Sequence, residues 1–161
     1  MRYVLSLFLL VLLAQGVWAE EYQDAAKGFA LTPAQGWVVE ADPEAFGTNL
    51  VVTANKEDPY APSIQVMVWP GEPTINDYFQ NQEMTLVGTA DNALIFKDAQ
   101  LAGQKAGSFF YTLNKTLKTM TFYTIANGHT YVVSQTARIK EFEDNRDAFE
   151  QMTASFRLLG E

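Results

Sequence analysis

The chain has 161 residues, a formal net charge of −8, one histidine and no cysteine. So acidic a surface repels nucleic-acid phosphates and anionic lipid headgroups, and we expect no binding to nucleic acid or to a membrane surface. Without cysteine the chain cannot form a disulfide, a thiol redox centre, an iron–sulfur site or a thiolate zinc site.

Residues 1–19 have the order of a secretory signal peptide. Arg2 gives a positive start, an almost unbroken apolar run follows, and small residues lead to Ala19. A membrane-spanning helix needs about 20 apolar residues, so this run is too short for a stable anchor. We therefore predict cleavage after Ala19, a periplasmic or secreted location, and one α/β globular domain over residues 20–161.

Strand patterns dominate the next part of the chain. Residues 20–27 are polar and predict a loose lead-in to the apolar segment 28–31. Alternating or apolar runs predict strands over 37–41, 49–54 and 63–69. In the last of these, alternation places Ile64, Val66 and Val68 on one face and Gln65, Met67 and Trp69 on the other.

A helix is predicted to begin after Pro70-Gly71. Thr74 is a suitable N-cap, Asp77 gives an approximate capping box, and Gly88 is a natural stop. The apolar residues of this helix fall on one side at helical spacing: Ile75, Tyr78, Phe79 and Leu86.

The second half predicts more strands and a second helix. The strands cover 93–99, 104–113 and 118–126, and the helix covers about 141–154 with an apolar stripe opposite an acidic one. Asn114 begins a match to a glycosylation sequon, which matters only in a eukaryotic secretory pathway.

The sequence ANGHTYVV (126–133) contains the strongest local signal. Asn127-Gly128 tolerates the positive φ that a type I′ turn needs at both central residues, so it predicts a two-residue hairpin. This turn sets Ala126 opposite His129 and Phe122 opposite Val133.

Both faces of this hairpin are apolar. One face has Phe122, Tyr131 and Val133, and the other has Tyr123, Ile125 and Val132. A sheet with one wet face would alternate apolar and polar residues, so we expect a layer on each side. The predicted fold class is α+β, a mainly antiparallel β-sheet covered by helices on both faces (an α/β/α sandwich).

No residue pattern specifies a reaction. We interpret His129 as an exposed residue beside the turn, because serine catalysis needs a histidine, a serine and a carboxylate together and no nucleophile elbow is present. The chain also lacks EF-hand, P-loop and dinucleotide-binding motifs. We therefore predict no catalytic residue, no metal site and no cofactor.

Loop carboxylates leave one enzymatic alternative open, because a glycosidase needs only two of them. Sequence does not show whether any pair converges, and on so acidic a chain we interpret these acids as solvated surface. They are Glu40, Asp42, Glu44, Glu57 and Asp58.

Two aromatic residues are candidates for binding. Tyr60 lies in a loop between two prolines, and Trp69 lies at the end of a predicted strand. Together they could form an exposed contact patch for a partner or an apolar ligand. The alternative is that Tyr60 folds back over Trp69 and both are structural.

The order of elements resembles a known family. The residues that carry the resemblance are the opening Gly28-Phe29 with Gly36-Trp37, the segment Leu101 to Ala106, the hairpin Asn127 to Tyr131, and the closing Ser155-Phe156. The pattern is similar to the PsbP/Mog1-type α/β/α sandwich, including bacterial periplasmic DcrB-like members. The resemblance implies a non-enzymatic domain that serves as an accessory subunit or small-protein binder.

The leading functional expectation is an exported, non-enzymatic binding or accessory protein that assists an envelope complex through contacts with an unknown protein partner. One alternative is a carrier of a small apolar or amphiphilic ligand, held between the sheet and the helix from Thr74. The other is a carboxylate-based hydrolase.

Overall fold

The computed structural model describes residues 19–43, 47–71 and 90–160, with residues 96 and 97 described by their backbone alone. The helix predicted from Thr74 and most of the predicted signal peptide lie outside the described residues. The described elements are β1 (Tyr22–Asp24), β2 (Phe29–Leu31), β3 (Val38–Ala41), β4 (Thr48–Thr53), β5 (Ser63–Pro70), β6 (Asn92–Leu101), β7 (Gln104–Leu113), β8 (Leu117–Ala126), β9 (His129–Arg138), α1 (Ile139–Phe142), α2 (Arg146–Ser155) and β10 (Arg157–Leu158).

The described strands form two antiparallel sheets. The large sheet has seven strands in the order β3-β4-β5-β9-β8-β7-β6, and the small sheet has the order β1-β2-β10. Each described pairing is antiparallel. The prediction of a mainly antiparallel sheet is confirmed.

The β8–β9 hairpin has the predicted turn and register. Asn127 and Gly128 both have positive φ, at 51° and 76°. Ala126 pairs with His129 and Phe122 pairs with Val133. Because side chains alternate across a strand, this register decides which residues of the central strands share a face.

The two faces of the large sheet contribute to different clusters. The helix face carries Ile64, Val66 and Val133, which pack in the larger core cluster with residues of both described helices. The opposite face carries Tyr123 and Val132, which pack with Phe109, Met67 and Trp69. The hairpin is therefore buried on both sides, as its apolar faces predicted.

Both described helices lie on the helix face, since Phe142, Phe149 and Met152 belong to its cluster. The second predicted helix is divided in two. The carbonyl of Glu141 accepts hydrogen bonds from both the backbone N–H and the side-chain amide of Asn145, in the segment between the two helices.

The interpretation of residues 20–27 as a loose lead-in is wrong, because Tyr22–Asp24 form β1. Tyr22 lies against Phe29, with ring centroids 6.0 Å apart. The Arg157 guanidinium donates to both carboxylate oxygens of Glu21, at 2.9 and 2.8 Å. β1 pairs with the neighbouring strand β2, but its three residues are too few to show an alternating pattern, and Arg157 comes from the C-terminal segment.

Because both faces of the large sheet are buried, alanine substitutions at two neighbouring residues of β9 should lower the free energy of unfolding by similar amounts. Val132 and Val133 point to opposite faces and both have no exposed surface. Replacing either by alanine removes two buried methyl groups and should lower the free energy of unfolding by about 2 kcal/mol. Val39 on the edge strand β3 is 39% exposed, so Val39→Ala should cost about 0.5 kcal/mol. Urea unfolding measures all three, and a Val132→Ala cost as small as that of Val39→Ala would contradict burial of the opposite face.

The Glu21–Arg157 pair predicts a pH dependence. The hydrogen bond from Arg157 is the main reason why the pKa of Glu21 falls from 4.5 to about 2. A carboxylate with a lowered folded-state pKa stabilises the fold above its unfolded pKa, and this contribution is lost as pH falls towards the folded value. The stability difference between the natural chain and Glu21→Gln should thus be full above about pH 5 and vanish near pH 2. Urea unfolding across this range tests it, with Glu20→Gln as a control that should show no such trend.

Candidate functional site

Among the described elements, helix α2 covers only part of the helix face. The side-chain amide of Gln135, on β9, donates to Thr153 at 2.8 Å and to the carbonyl of Phe149 at 3.4 Å. Phe149 and Met152 pack on residues of β4, β5 and β9. The helix therefore lies above β9 and its β5 side, whereas β8, β7 and β6 extend the sheet beyond it.

An apolar groove runs along α2 on this uncovered side. It consists of two adjoining hollows of about 510 and about 200 Å³, which share Phe122, Gln135 and Glu150. Its floor contains Phe110, Met120 and Phe122, which are only half-buried. Leu94 pairs with Phe110 across β6 and β7 and is 57% exposed, so it borders the groove at the sheet edge.

A charged cluster closes one end of the groove. The Lys118 ammonium lies 5.1 Å from the Phe110 ring centroid and 4.7 Å from that of Phe142. It also donates to Glu143, which accepts a second hydrogen bond from Arg146. The hydrogen bond from Lys118 is the main cause that lowers the pKa of Glu143. Both cations at this end are thus paired with one carboxylate.

One stripe of α2 and its continuation forms the wall of the groove. On α2 the lining residues recur at helical spacing, as Arg146, Glu150, Thr153 and Ala154, and Arg157 of β10 follows them. Arg157 at the far end is held by Glu21. Glu150, in the middle, has no ion pair among the described residues. The end formed by Lys118, Arg146 and Glu143 therefore keeps one net positive charge, the Arg157–Glu21 end is neutral, and Glu150 is negative between them.

Tyr60 lies away from this groove. Its ring is 54% exposed and sits 5.7 Å from the Arg138 guanidinium. Arg138 in turn donates two hydrogen bonds to Asp58, at 2.8 and 2.9 Å. Tyr60 is therefore an exposed ring over a surface ion pair at the end of β9.

Trp69 lies near the other end of β5. It is half-buried in the cluster of the opposite face, and a Cβ at Gly47 would lie 3.2 Å from its indole nitrogen. The six residue steps from Ser63 to Trp69 span about 20 Å in a strand. The structure thus does not bring Tyr60 and Trp69 into one patch, and Tyr60 does not cover Trp69. A binding role for either residue stays a prediction.

His129 lies beside the hairpin turn as predicted, but it is half-buried where we expected it to be exposed, because it pairs with Pro70 of β5. Its Nδ1 lies 2.9 Å from the carbonyl oxygen of Asn127 and donates to it. The serine hydroxyls with hydrogen bonds serve the fold: Ser134 bonds Thr121, and Ser155 bonds the backbone of Thr32. The described residues show no contact between the histidine and a serine.

Two of the candidate carboxylates, Glu40 and Asp58, line the same polar hollow of about 140 Å³, together with Lys56. The hydrogen bond from Arg138 lowers the pKa of Asp58, so this carboxyl stays ionised. Glu44 lies outside the described residues. Within the part of the chain that the structure describes, no three His, Asp or Glu side chains are grouped to hold a metal ion.

The groove could not be predicted from the sequence. We expected Phe122 to lie on a covered face, but its ring is only half-buried, because α2 stops short of β8. The width of a helical layer relative to its sheet is a tertiary property and leaves no local pattern. The consecutive Phe109-Phe110-Tyr111 was the nearest signal, since it placed aromatic residues on both faces of β7.

Comparison with known proteins rests on structure, because no protein-family profile and no curated protein matches the chain. The PsbP protein CyanoP of Synechocystis sp. PCC 6803 matches with a TM-score of 0.60 and 12% identity, over 90% of this chain and 95% of that one. The chain has a PsbP/Mog1-like fold. The narrower resemblance to DcrB-like members stays a prediction.

Two further structures share this PsbP-like fold. LpqN of Mycobacterium tuberculosis, described as involved in cell envelope biogenesis, has a TM-score of 0.59 and 16% identity, over 88% of this chain and 90% of that one. A Bacteroides thetaiotaomicron protein has a TM-score of 0.58 and 10% identity, and the match spans 89% of this chain but 49% of the other. At such identities the comparisons establish the fold alone. None of the described helices combines the length and apolarity required to cross a bilayer.

Proposed function

We propose that this PsbP-like protein is an exported, non-enzymatic accessory protein of the cell envelope, and that it binds a protein partner through the groove beside α2. The proposal rests on the helix face, where the described helices form only a partial layer over the sheet. Phe110, Met120 and Phe122 are half-buried, and Leu94 is mostly exposed, on one continuous strip of sheet. Contiguous apolar surface of this kind is typical of interaction sites.

The groove suits a macromolecule better than a small ligand. Pockets for small molecules enclose most of the ligand surface, whereas this groove lies open beside a sheet edge. Charged side chains line its ends and middle, as at the rim of a protein interface. The alternative carrier site beside the helix from Thr74 lies outside the described residues, so we keep it as an alternative only.

A hydrolase receives less support from the geometry. A general acid in a carboxylate pair needs a raised pKa, and Asp58 has a lowered one because Arg138 donates to it. His129 has a backbone partner in place of a serine. These two observations favour a binding role over an enzymatic one.

The envelope location and a second layer over the opposite face of the sheet are also part of this proposal. The predicted signal peptide supports export, and the involvement of the structurally similar LpqN in cell envelope biogenesis supports an envelope location. The burial of Tyr123 and Val132 on the opposite face supports the expectation of a second covering layer, for which the segment from Thr74 is our candidate.

The groove predicts a local effect on partner binding. Met120→Glu puts a charge on the groove floor and should reduce capture of the partner from envelope extracts of the source organism at least about tenfold, as for loss of an interface hot spot. Val39→Glu makes the same change on the opposite edge strand and should leave capture unchanged. Thermal unfolding of both variants confirms that they fold. Equal capture by the two variants would contradict the proposed site.

A further inference from the structure

We propose that two copies of this chain pair through β6, the open edge of the large sheet, so that the two sheets become one. The two β6 strands run antiparallel, with Leu94 of each copy at the two-fold axis. This inference concerns the sheet edge and goes beyond the groove of the proposed function. Three features carry it: the open backbone of β6, its uncharged sequence, and its fit to a second copy.

β6 offers a long open edge. It has ten residues, and within the described part of the chain it pairs only with β7. The backbone groups on its other side therefore have no described strand beside them. An edge strand of this length is a template for pairing with another chain.

The turn between β6 and β7 fixes which pairs of these strands are hydrogen-bonded. Ala102 and Gly103 both have positive φ, at 52° and 74°, as in a type I′ turn. Such a turn joins its flanking residues, Leu101 and Gln104, as a hydrogen-bonded pair, and hydrogen-bonded pairs then recur at every second residue. This alternation can be followed along β7, which pairs with β8 without a register shift.

The alternation leaves two residues of β6 with outward backbone groups. Phe110 lies an even number of residues along β7 from Gln104, so its pair with Leu94 is also hydrogen-bonded. Ala93 and Ile95, on either side of Leu94, therefore direct their N–H and C=O groups away from β7. No described strand lies on that side to pair with them.

The sequence of β6 does not protect this edge. Edge strands usually resist pairing through charged residues, proline or bulges. Residues 92–96 contain no charge and no proline, and the bulge lies beyond them, between Phe96 and Ala99. The other edge strand, β3, has only four residues and carries Glu40, which would approach its own copy in a symmetric pair. Of the two edges, β6 is therefore the one suited to pairing.

β6 is complementary to itself about an axis at Leu94. This residue is 57% exposed and would lie opposite Leu94 of the second copy. Ala93, which is small and exposed, would lie opposite the larger, half-buried Ile95. Each of these outward pairs can exchange two backbone hydrogen bonds, and the leucines form the closer, non-hydrogen-bonded pair between them. A second copy thus fits both the backbone and the side chains of this edge.

Pairing at β6 would also extend the floor of the groove. The axis that relates antiparallel strands of one sheet is perpendicular to the sheet, so the helix faces of both copies lie on the same side. The strands β8, β7 and β6, which extend beyond α2, then meet the same strands of the second copy. The grooves of the two copies thus border one continuous floor around Leu94. Partner binding in each groove does not depend on this pairing, so the two proposals fail separately.

Cysteine substitutions test the register, because the natural chain has no cysteine. A non-hydrogen-bonded pair has its Cα atoms about 4.5 Å apart, within the range of a disulfide, so Leu94→Cys should form a disulfide-linked dimer under mild oxidation. The Cα atoms of the two residues at position 93 would lie about 8 Å apart, too far for a disulfide, so Ala93→Cys should stay unlinked on a non-reducing gel. Equal linkage of the two variants, or no linkage of Leu94→Cys, would overturn the inference.

Sedimentation equilibrium tests the interface without a covalent link. A small interface is at the weak end of the range, so the natural chain should dimerise with a Kd in the micromolar range. Leu94→Lys sets two like charges opposite each other and should weaken the dimer at least about tenfold. Val39→Lys makes a similar change on β3, at a residue that is 39% exposed, and should leave the dimer unchanged.

Thermal unfolding confirms that both lysine variants fold. A natural chain that remains monomeric at about 1 mM would overturn the inference. Equal weakening by Leu94→Lys and Val39→Lys would also overturn it, because the effect would then come from net charge and not from the β6 edge.

Discussion

The architecture depends on the two-residue turn between β8 and β9. Asn127 and Gly128 adopt the positive φ that a type I′ turn requires, and the turn fixes every pairing along the hairpin. Because side chains alternate, a slip of one residue would turn Val133 away from α2 and bring Val132 to it. β9 lies at the centre of the large sheet, so the same register decides where β5 and the helices pack.

Tyr131 shows how this register joins the two sheets. It lies on the helix face of β9, its ring packs against Phe156 at 6.2 Å, and its hydroxyl donates to the carbonyl of Lys27 at 3.2 Å. Gly28 makes this approach possible, because a Cβ there would lie 3.1 Å from the hydroxyl and φ is +73°. The segments around Lys27 and Phe156, which precede and follow the large sheet in the chain, are thereby held at one end of the helix face. The groove lies beside them, along β8.

The elements with strong local patterns could be predicted from the sequence. The strands β5 and β7 and the β8–β9 register follow from alternation and from Asn-Gly turn chemistry. β1 was missed because its three residues are too few to show a period. The predicted patch of Tyr60 and Trp69 does not form, because most of β5 separates the two residues. The groove exists because α2 extends over only part of the large sheet. The order of the strands and the position of the helix both depend on contacts between distant segments, so no local sequence pattern predicts them.

We propose that a partner binds on the part of the helix face that no described element covers. A photoreactive amino acid at position 94, on the edge of the groove, tests this in living cells of the source organism. The account predicts a crosslink between this position and one protein partner, and none when the same amino acid is placed at position 39 on the other edge strand. Crosslinking at position 39 with none at position 94 would contradict it.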